Sequence, residues 1–292
     1  MTNDITNTVK DNPQTRWIVV TGLDGSGKTT LVKNLADYYR NKKNLRVATD
    51  RFPHDKYLVH ELLEKSKDAY TDRLLFALDN RIFGTELKEM IDSKKYDIII
   101  TQRGFLDSFV HGAVQGFSYD WINELNRVND LPKCDVMIHM VCNAGVAYSR
   151  ICDDPDADKF EYPDYIEKQE RETRKAYDET VSGNNPNFKH FKNAKNIYID
   201  TTQMSTSEVF SFAIQKLEKA DLIWVKKSSL QLQRTLFILN YIKNWFCVTL
   251  FMYSASSKCI RYTSVPFSLI SFKSSNISSI FKCAPPNLDT ST

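Results

Sequence analysis

The stretch that most constrains this chain is a glycine-rich loop near its start, which reads Gly22-x-x-x-x-Gly27-Lys28-Thr29. An apolar run at residues 17–20 precedes the loop, and a pattern of apolar side chains with helical spacing follows it. In that strand–loop–helix setting, glycines let backbone N–H groups turn toward phosphate oxygens, and the helix contributes the positive end of its dipole. The stretch therefore predicts a nucleotide phosphate site.

The positions within this loop predict different contacts. Lys28 would reach the β- and γ-phosphates, and the Thr29 hydroxyl would ligate Mg²⁺. The surrounding backbone completes the cradle, so we assign the whole loop to the donor nucleotide: Gly22, Asp24, Gly25, Ser26, Gly27, Lys28, Thr29 and Thr30.

Charge is distributed unevenly along the 292 residues. The whole chain has a net charge of +3, but from Leu222 onward eight basic residues stand against a single acidic one. Residues 1–221 therefore contain 31 basic and 35 acidic side chains, a net charge of −4. A mildly acidic body argues against a nucleic-acid-binding protein.

The pattern of cysteines indicates the cellular compartment. Six scattered cysteines without a C-x-x-C pair, in a chain with a phosphate loop, are typical of a reduced, cytoplasmic protein.

We expect residues 1–15 to be a disordered lead-in, since they are polar. Residues 228–292 hold thirteen serines and no glutamate, and we expect them to form an atypical extension outside the fold.

The extension also contains the candidate membrane segment, residues 235–253. Lys243 lies near its middle, and a central lysine costs about 2.5–3.5 kcal/mol on insertion scales. We therefore expect no membrane association, and a protein tethered to a membrane by residues 235–253 stays as the alternative.

Alternating patterns predict the fold. Five apolar runs predict strands, at 17–20, 45–49, 97–101, 135–140 and 196–200. Helical spacing separates them, at 28–43, 56–66, 72–92, 161–182 and after Ser205. Continuous apolar runs are typical of strands buried on both faces. We predict an α/β P-loop NTPase fold, a five-stranded parallel sheet with helices on both faces, whose ligands lie beyond the carboxyl ends of the strands.

Further motifs follow at intervals: Arg51-Phe52-Pro53, Leu74-Leu75-Phe76-Ala77, Gln102-Arg103, Asp107-Ser108 and Asp158-Lys159-Phe160-Glu161. With the glycine-rich loop, their order and spacing resemble the thymidylate kinase family of P-loop nucleoside-monophosphate kinases. The resemblance covers about residues 16–221, and nothing in the chain resembles the N-K-x-D box that reads guanine in GTPases. It predicts a kinase domain at 16–227 with a lid at about 148–162.

The resemblance implies roles for individual residues. Asp24 would contact the deoxyribose of the acceptor, Arg51 and Arg103 would hold its phosphate, and Phe76 would stack on its base, with Ser108 in the same acceptor site. The activity implied is ATP- and Mg²⁺-dependent phosphorylation of dTMP to dTDP, in a homodimer that binds small nucleotides.

Gln102 departs from the family pattern, which has an aspartate that helps to organise Mg²⁺. An amide offers an oxygen without charge, and Mg²⁺ prefers carboxylate and water. We expect Thr29 and Gln102 to form the metal site, and a slow enzyme or a nucleotide-binding pseudoenzyme remains an alternative.

The base-reading helix departs as well. The family carries an arginine four residues after the stacking aromatic, whereas here Asn80 is fourth and Arg81 is fifth. One residue turns a helix by about 100°, so either Asn80 or Arg81 would read the base. A different deoxynucleotide, or a deoxynucleoside, remains an alternative acceptor.

The third departure concerns cations. Gly25 stands where eukaryotic relatives carry an arginine, and residues 150–158 are acidic where bacterial lids carry arginines. Arg150 and Lys159 are the nearby candidates to face the transferring phosphoryl group. With Lys28, Gln102 and Arg103 they complete the expected catalytic set.

Overall fold

The computed structural model describes residues 14–54, 56–153 and 160–219. Its strands are β1 (Arg16–Gly22), β2 (Val47–Arg51), β3 (Ile98–Gln102), β4 (Val136–Val141) and β5 (Lys195–Asp200). They form a five-stranded sheet in the order β2-β3-β1-β4-β5, and every neighbouring pair is parallel. The predicted fold class is confirmed.

The helices of the described residues are α1 (Lys28–Asn41), α2 (Lys56–Lys65), α3 (Ala69–Asp92), α4 (Phe105–Val114), α5 (Tyr119–Asn126), α6 (Ala144–Ser149), α7 (Pro163–Ser182) and α8 (Thr206–Lys219). Helical spacing predicted α1, α2, α3, α7 and α8. Helices α4, α5 and α6 were not predicted from the sequence.

Successive side chains of β1 face opposite sides of the sheet, because side chains alternate along a strand. Ile18 and Val20 pack into a core with α1 and α8. Trp17 and Val19 belong to a second core with residues of α3, α4 and α7, among them the fully buried Phe109. A strand buried on both sides needs apolar residues at every position, which is why residues 17–20 read as an unbroken apolar run.

This architecture places the glycine-rich loop at the centre of the sheet. β1 lies between β3 and β4, and the loop leaves β1 at its carboxyl end. Gly22 has φ of 134°, and a Cβ there would lie 1.9 Å from the Met140 carbonyl oxygen of β4. Only glycine fits so close an approach, so the start of the loop is clamped against the neighbouring strand.

The chain divides into two units, residues 1–226 and 227–292, and every described residue belongs to the first. The extension at 228–292 and the membrane candidate at 235–253 lie outside the described residues, as do residues 154–159 of the expected lid and most of the lead-in. Within the part that the structure describes, no helix is both long and apolar enough to cross a membrane.

Candidate active site

The glycine-rich loop joins β1 to the first residue of α1. Gly25 and Gly27 both have positive φ, 75° and 92°, which lets the chain turn into the helix. Lys28 is buried, and its Nζ donates to the Leu23 carbonyl at 2.8 Å and to Asp24 Oδ1 at 3.0 Å. The loop therefore presents backbone N–H groups, a helix N-terminus and one ammonium group at the same place, as phosphate binding requires.

Gly25 has a structural reason to lack a side chain. A Cβ at this position would lie 2.3 Å from the carbonyl oxygen of Ala147 in α6. Since φ is also positive, any larger residue would meet both backbone strain and a clash. The arginine of eukaryotic relatives cannot be accommodated unless α6 moves away from the loop.

A cavity of about 1340 Å³ opens over the carboxyl ends of the strands. This exceeds the 300–1,000 Å³ that is usual for a site with one small ligand, so the cavity has room for two. It brings together most of the expected site residues, namely Asp24, Gly25, Ser26, Gly27, Lys28, Thr29, Thr30, Arg51, Phe76, Asn80, Gln102, Arg103, Ser108 and Arg150.

Asp24 is the centre of a buried charge network. Its carboxylate accepts from Lys28, from the Arg103 guanidinium and, at 3.1 Å, from Gln169 Nε2 of α7. Burial by itself raises the pKa of Asp24, but Arg103 and Lys28 outweigh it and hold the pKa far below its usual range. Asp24 is therefore a fixed anion that orients the two cations.

Arg103 follows β3 in a conformation that is rare for a non-glycine residue, with φ of 66°. Its backbone N–H donates to the Val20 carbonyl of β1 at 2.8 Å, which ties the turn to the central strand. Strained backbone of this kind often occurs at functional sites. Here it directs the guanidinium into the cavity beside Asp24.

His111 of α4 contacts the guanidinium of Arg103. Its Nε2 lies 3.2 Å from Arg103 Nη1, and its Nδ1 lies 2.8 Å from the Tyr165 hydroxyl of α7. Because a guanidinium can only donate, Nε2 accepts and Nδ1 carries the proton. Burial and Arg103 hold the pKa of His111 well below its ordinary value, so the ring is neutral at pH 7.

Thr29 and Gln102, the two expected metal-site residues, are neighbours. Thr29 Oγ1 donates to Gln102 Oε1 over 3.0 Å. No cluster of three or more His, Cys, Asp or Glu residues that could hold a metal occurs among the described residues. Both side chains are oxygen donors, which suits Mg²⁺, and Mg²⁺ commonly takes its remaining ligands from water and substrate phosphates. The pair fits a metal that the protein holds without a carboxylate.

Asp107, the carboxylate of the Asp107-Ser108 motif, already has hydrogen-bond partners within the fold. Its Oδ2 accepts from Thr21 Oγ1 at 2.7 Å and from the Gly104 backbone N–H at 2.9 Å, which caps the start of α4. Burial raises its pKa. Asp107 therefore joins β1 to α4 and does not replace the missing aspartate at position 102.

At the acceptor end, Arg51 and Phe76 both line the cavity. Among the described residues Arg51 makes no ion pair through its guanidinium, and the neighbouring Asp50 Oδ2 lies 3.1 Å from His54 Nδ1. Phe76 is half-buried, and the Arg73 guanidinium carbon lies 4.4 Å from the centroid of its ring. An exposed cation and an aromatic face are suited to a phosphate and a base, respectively.

The structure separates the two candidate base readers. Asn80 lines the cavity and is buried, whereas Arg81 is exposed outside the lining and its Nη1 donates to the Arg127 carbonyl at 3.5 Å. The alternative in which Arg81 reads the base is therefore wrong in this geometry. The extra residue turns Arg81 away from the cavity, as the 100° step of a helix requires.

Of the two candidate cations of the lid region, Arg150 lies among the described residues and Lys159 does not. Arg150 lines the cavity and donates to the Gly25 carbonyl at 3.2 Å and to the Thr201 carbonyl at 3.0 Å. It therefore joins the phosphate loop to the segment after β5. Lys159 lies outside the described residues, so its role stays a prediction.

Three residues of the site were not predicted from the sequence: Arg73 and His111, which line the cavity, and Gln169, which is buried and donates to Asp24. Gln169 lies within the helical pattern predicted at 161–182, which gave it no role in the site. His111 and Arg73 carry no motif, and their sequence neighbours do not mark them as different from surface residues. Only the packing of α3, α4 and α7 against the loop brings them to the site.

Fold and site together define a class. A phosphate loop at the centre of a parallel sheet, facing a basic and aromatic pocket in one large cavity, is the arrangement of a P-loop phosphotransferase that binds two small ligands.

The comparisons identify the family. The family model described as "Thymidylate kinase" matches residues 20–203. The "Probable thymidylate kinase 1" of Saccharolobus solfataricus is 30% identical over 208 residues, which is 70% of this chain and 97% of that protein. The "Probable thymidylate kinase" of Metallosphaera sedula is 31% identical over 146 residues, 49% of this chain and 69% of that protein. This chain belongs to the thymidylate kinase family of nucleoside-monophosphate kinases, which use ATP as phosphate donor.

A solved structure agrees at the level of the fold. The thymidylate kinase of Candida albicans superimposes with a TM-score of 0.54 at 14% sequence identity, covering 72% of this chain and 93% of that one. The expectation of a thymidylate-kinase-like P-loop enzyme is thus confirmed at the level of family and fold.

Proposed function

We propose that this chain transfers the γ-phosphoryl group of ATP to dTMP, forming dTDP and ADP, with Mg²⁺. The observation that carries the proposal is that Arg51, Arg103 and Phe76, which suit a phosphate and a base, line the same cavity as the phosphate loop. In the reaction, a phosphate oxygen of the acceptor attacks the γ-phosphorus, and the bond to the β-phosphate oxygen breaks.

Each side chain has a task in this scheme. Lys28 neutralises the β- and γ-phosphates, while Arg103, held by Asp24 and His111, offers a preoriented fork to the acceptor phosphate. Mg²⁺, when held by Thr29 and Gln102 with the phosphates, supplies further neutralising charge. A phosphate monoester has a second pKa of about 6, so at neutral pH the acceptor needs no general base.

That last point favours a nucleotide over a nucleoside acceptor. A deoxynucleoside hydroxyl would have to lose a proton, ordinarily to a carboxylate base. Two of the carboxylates that line the cavity are already engaged: Asp24 is tied to two cations and to Gln169, and Asp107 accepts from Thr21 and the Gly104 backbone. Arg51 and Arg103 instead suit an acceptor that brings its own negative charge.

The direct test is to detect the product. Purified full-length protein is incubated with ATP, Mg²⁺ and dTMP, and ³¹P NMR follows the doublets of dTDP and ADP. Lys28→Met serves as the control, because it removes the ammonium group that faces the phosphates and should abolish transfer. ATP binding by wild type without dTDP formation would instead support a nucleotide-binding pseudoenzyme, for which Gln102 is the motivation.

We further propose a homodimer, built on an apolar ridge of α3. Tyr70, Leu74, Leu78 and Ile82 recur every four residues and are 38–52% exposed. They span about 18 Å, and i, i+4 ridges are the rows through which helices commonly interdigitate. A second copy of the same ridge is its simplest complement.

Light scattering after size exclusion tests the dimer. Leu78→Glu places a charge in the centre of the ridge and should convert the wild-type dimer to a monomer. Val181→Glu changes a residue of α7 that is equally exposed, at 52%, and should leave the dimer intact. A wild-type monomer would contradict the proposal.

A further inference from the structure

The two oxygens of the Asp24 carboxylate have different partners. Oδ1 accepts from Lys28 Nζ at 3.0 Å and from the Arg103 guanidinium. Oδ2 accepts from Gln169 Nε2 of α7 at 3.1 Å. The last torsion of an aspartate side chain is broad, so a carboxylate turns with little resistance unless both oxygens are held. The bond from Gln169 therefore fixes the rotation that directs Oδ1 toward the two cations.

The neighbours of Gln169 allow one orientation of its amide. Nε2 lies 3.1 Å from Asp24 Oδ2 and 3.3 Å from His111 Nε2. An ionised carboxylate can only accept, and His111 Nε2 accepts as well, because Arg103 Nη1 donates to it at 3.2 Å. An amide oxygen in this place would face two acceptors, so the nitrogen faces the site. Only 1% of Gln169 is exposed, so bulk water does not compete for these bonds.

A second residue of α7 holds His111. Tyr165 and Gln169 are four residues apart, which places both on one face of the helix, and both are buried. The Tyr165 hydroxyl accepts from His111 Nδ1 over 2.8 Å, which keeps the proton on Nδ1 and leaves Nε2 with its lone pair. That lone pair faces Arg103. Helix α7 thus contacts both groups that orient Arg103, namely Asp24 and His111.

The two cations depend on the Asp24 carboxylate to different extents. Lys28 Nζ also donates to the Leu23 carbonyl at 2.8 Å, so it keeps a fixed partner within the loop if the carboxylate turns. The guanidinium of Arg103 meets Asp24 through Nη2 and His111 through Nη1, and the amide from α7 contacts both of these partners. Loss of that amide should therefore disturb Arg103 more than Lys28.

We infer that Gln169 is a positioning residue of the acceptor site, which holds Asp24 and His111 so that Arg103 keeps its orientation; this rests on the proposed function. Gln169 does not line the cavity, so it acts through Asp24 and His111 and not on the substrate itself. Arg103 is assigned to the acceptor phosphate and Lys28 to the donor phosphates. The role therefore predicts that loss of the amide weakens acceptor binding and spares donor binding.

Calorimetry on the full-length protein compares the two sites. One titration uses ATP, and a second uses dTMP after saturation with ADP. Gln169→Met keeps a side chain of similar length without the amide, and it should weaken dTMP binding by about ten- to hundredfold, the usual loss for a hydrogen bond to a charged group. Its Kd for ATP should change little.

Thr173→Val is the matched control. Thr173 lies one turn further along the same face of α7, is equally buried, and its Oγ1 meets no hydrogen-bond partner within the part of the chain that the structure describes. The substitution keeps the shape of the side chain, so both affinities should stay at the wild-type values. Loss of packing on α7 is thereby separated from loss of the Gln169 amide.

Gln169→Glu adds a pH dependence that packing would not produce. The titratable groups that position 169 meets directly, or through Asp24 and His111, are Asp24, Lys28, Arg103, His111 and Tyr165. An ionised carboxyl there would face the Asp24 anion and a neutral acceptor, so it can replace the amide only when protonated. Burial beside an anion raises the pKa of such a carboxyl. The affinity of this variant for dTMP, relative to wild type at the same pH, should therefore rise between about pH 8 and about pH 6. The pKa values of Asp24 and His111 are both lowered, so these two groups keep their charge states over that range.

Two results would overturn the inference. One is a Gln169→Met variant that binds dTMP as wild type does, or that loses ATP and dTMP affinity equally. The other is a Gln169→Glu variant whose relative affinity for dTMP is the same at both pH values.

A thermal shift with ATP reports whether each variant retains a folded donor site. Should Gln169→Met fail that check, Tyr165→Phe, which removes the partner of His111 Nδ1, should show a smaller loss that is again selective for dTMP. A wild type whose dTMP binding depends on Gln169 but which forms no dTDP would refute the proposed activity and leave the positioning role standing. A wild type that binds ATP but no dTMP would overturn both.

Discussion

The substitution Gln102→Asp introduces a carboxylate at the position that we expect to hold Mg²⁺ together with Thr29. Thr29 Oγ1 and Gln102 Oε1 are 3.0 Å apart, so a cation that contacts the threonine oxygen lies within reach of the side chain at position 102. The amide contributes a dipole there, whereas a carboxylate would contribute a full negative charge. We expect the variant to bind Mg²⁺ more tightly and to turn over faster when Mg²⁺ is scarce.

The size of the effect follows from the separation and the exposure. Two unit charges about 4 Å apart interact by about 4 kcal/mol at an effective dielectric constant of 20 and by about 1 kcal/mol in bulk water, and the double charge of Mg²⁺ raises these limits to about 8 and about 2 kcal/mol. Thr29 is exposed, so the gain should lie near the lower limit. About 1.4–2.8 kcal/mol corresponds to a ten- to hundredfold lower Mg²⁺ concentration at half-maximal rate.

The assay measures initial rates at a fixed low ATP concentration while free Mg²⁺ is varied. Gln102→Asn is the matched control, because it has the length of aspartate without the charge and should leave the wild-type Mg²⁺ dependence unimproved. Identical Mg²⁺ curves for the aspartate and asparagine variants would refute the reasoning, since charge would then have no part in the effect.

Three further substitutions test other contacts of the site. Asp24→Asn removes the buried anion between Lys28 and the half-buried Arg103 and should cost about 3–5 kcal/mol, seen as a Tm lower by about 6–20 °C. Because the folded-state pKa of Asp24 is lowered, that Tm difference should stay constant above about pH 5 and narrow as the pH falls below about 4. Gly25→Ala should weaken ATP binding at least tenfold by calorimetry, since its Cβ would lie 2.3 Å from the Ala147 carbonyl; unchanged affinity would show that α6 yields easily. Arg150→Gln should lower kcat at least tenfold with little change in the Kd of dTMP, whereas an unchanged kcat would reduce Arg150 to a structural brace.

The strands of the sheet were predictable because the burial of a strand requires apolar residues within its own short stretch of sequence. β1, β3, β4 and β5 are buried on at least one face, and their apolar runs mark them within one or two residues. β2 was expected at 45–49 and lies at 47–51, because it is an edge strand whose polar Asp50 and Arg51 still pair with β3. α4 was missed for the opposite reason: residues 105–112 are buried all round, so no amphipathic period marks the helix.

The site was predictable where a motif is contiguous and unpredictable where the fold assembles it. The loop residues, Arg103 and Phe76 were recognised in sequence and line the cavity as expected. Gln169 and His111 belong to different helices, and their roles depend on distances that no sequence pattern encodes.

The identity of the acceptor tests the proposed function most directly. A coupled ADP-release assay with ATP and Mg²⁺ should be run on the wild-type protein with dTMP, dUMP, dCMP, dGMP, dAMP and thymidine in parallel. The account predicts the highest kcat/KM with dTMP, a lower value with dCMP, and no ADP release above background with thymidine. Phosphorylation of thymidine without phosphorylation of dTMP would contradict it.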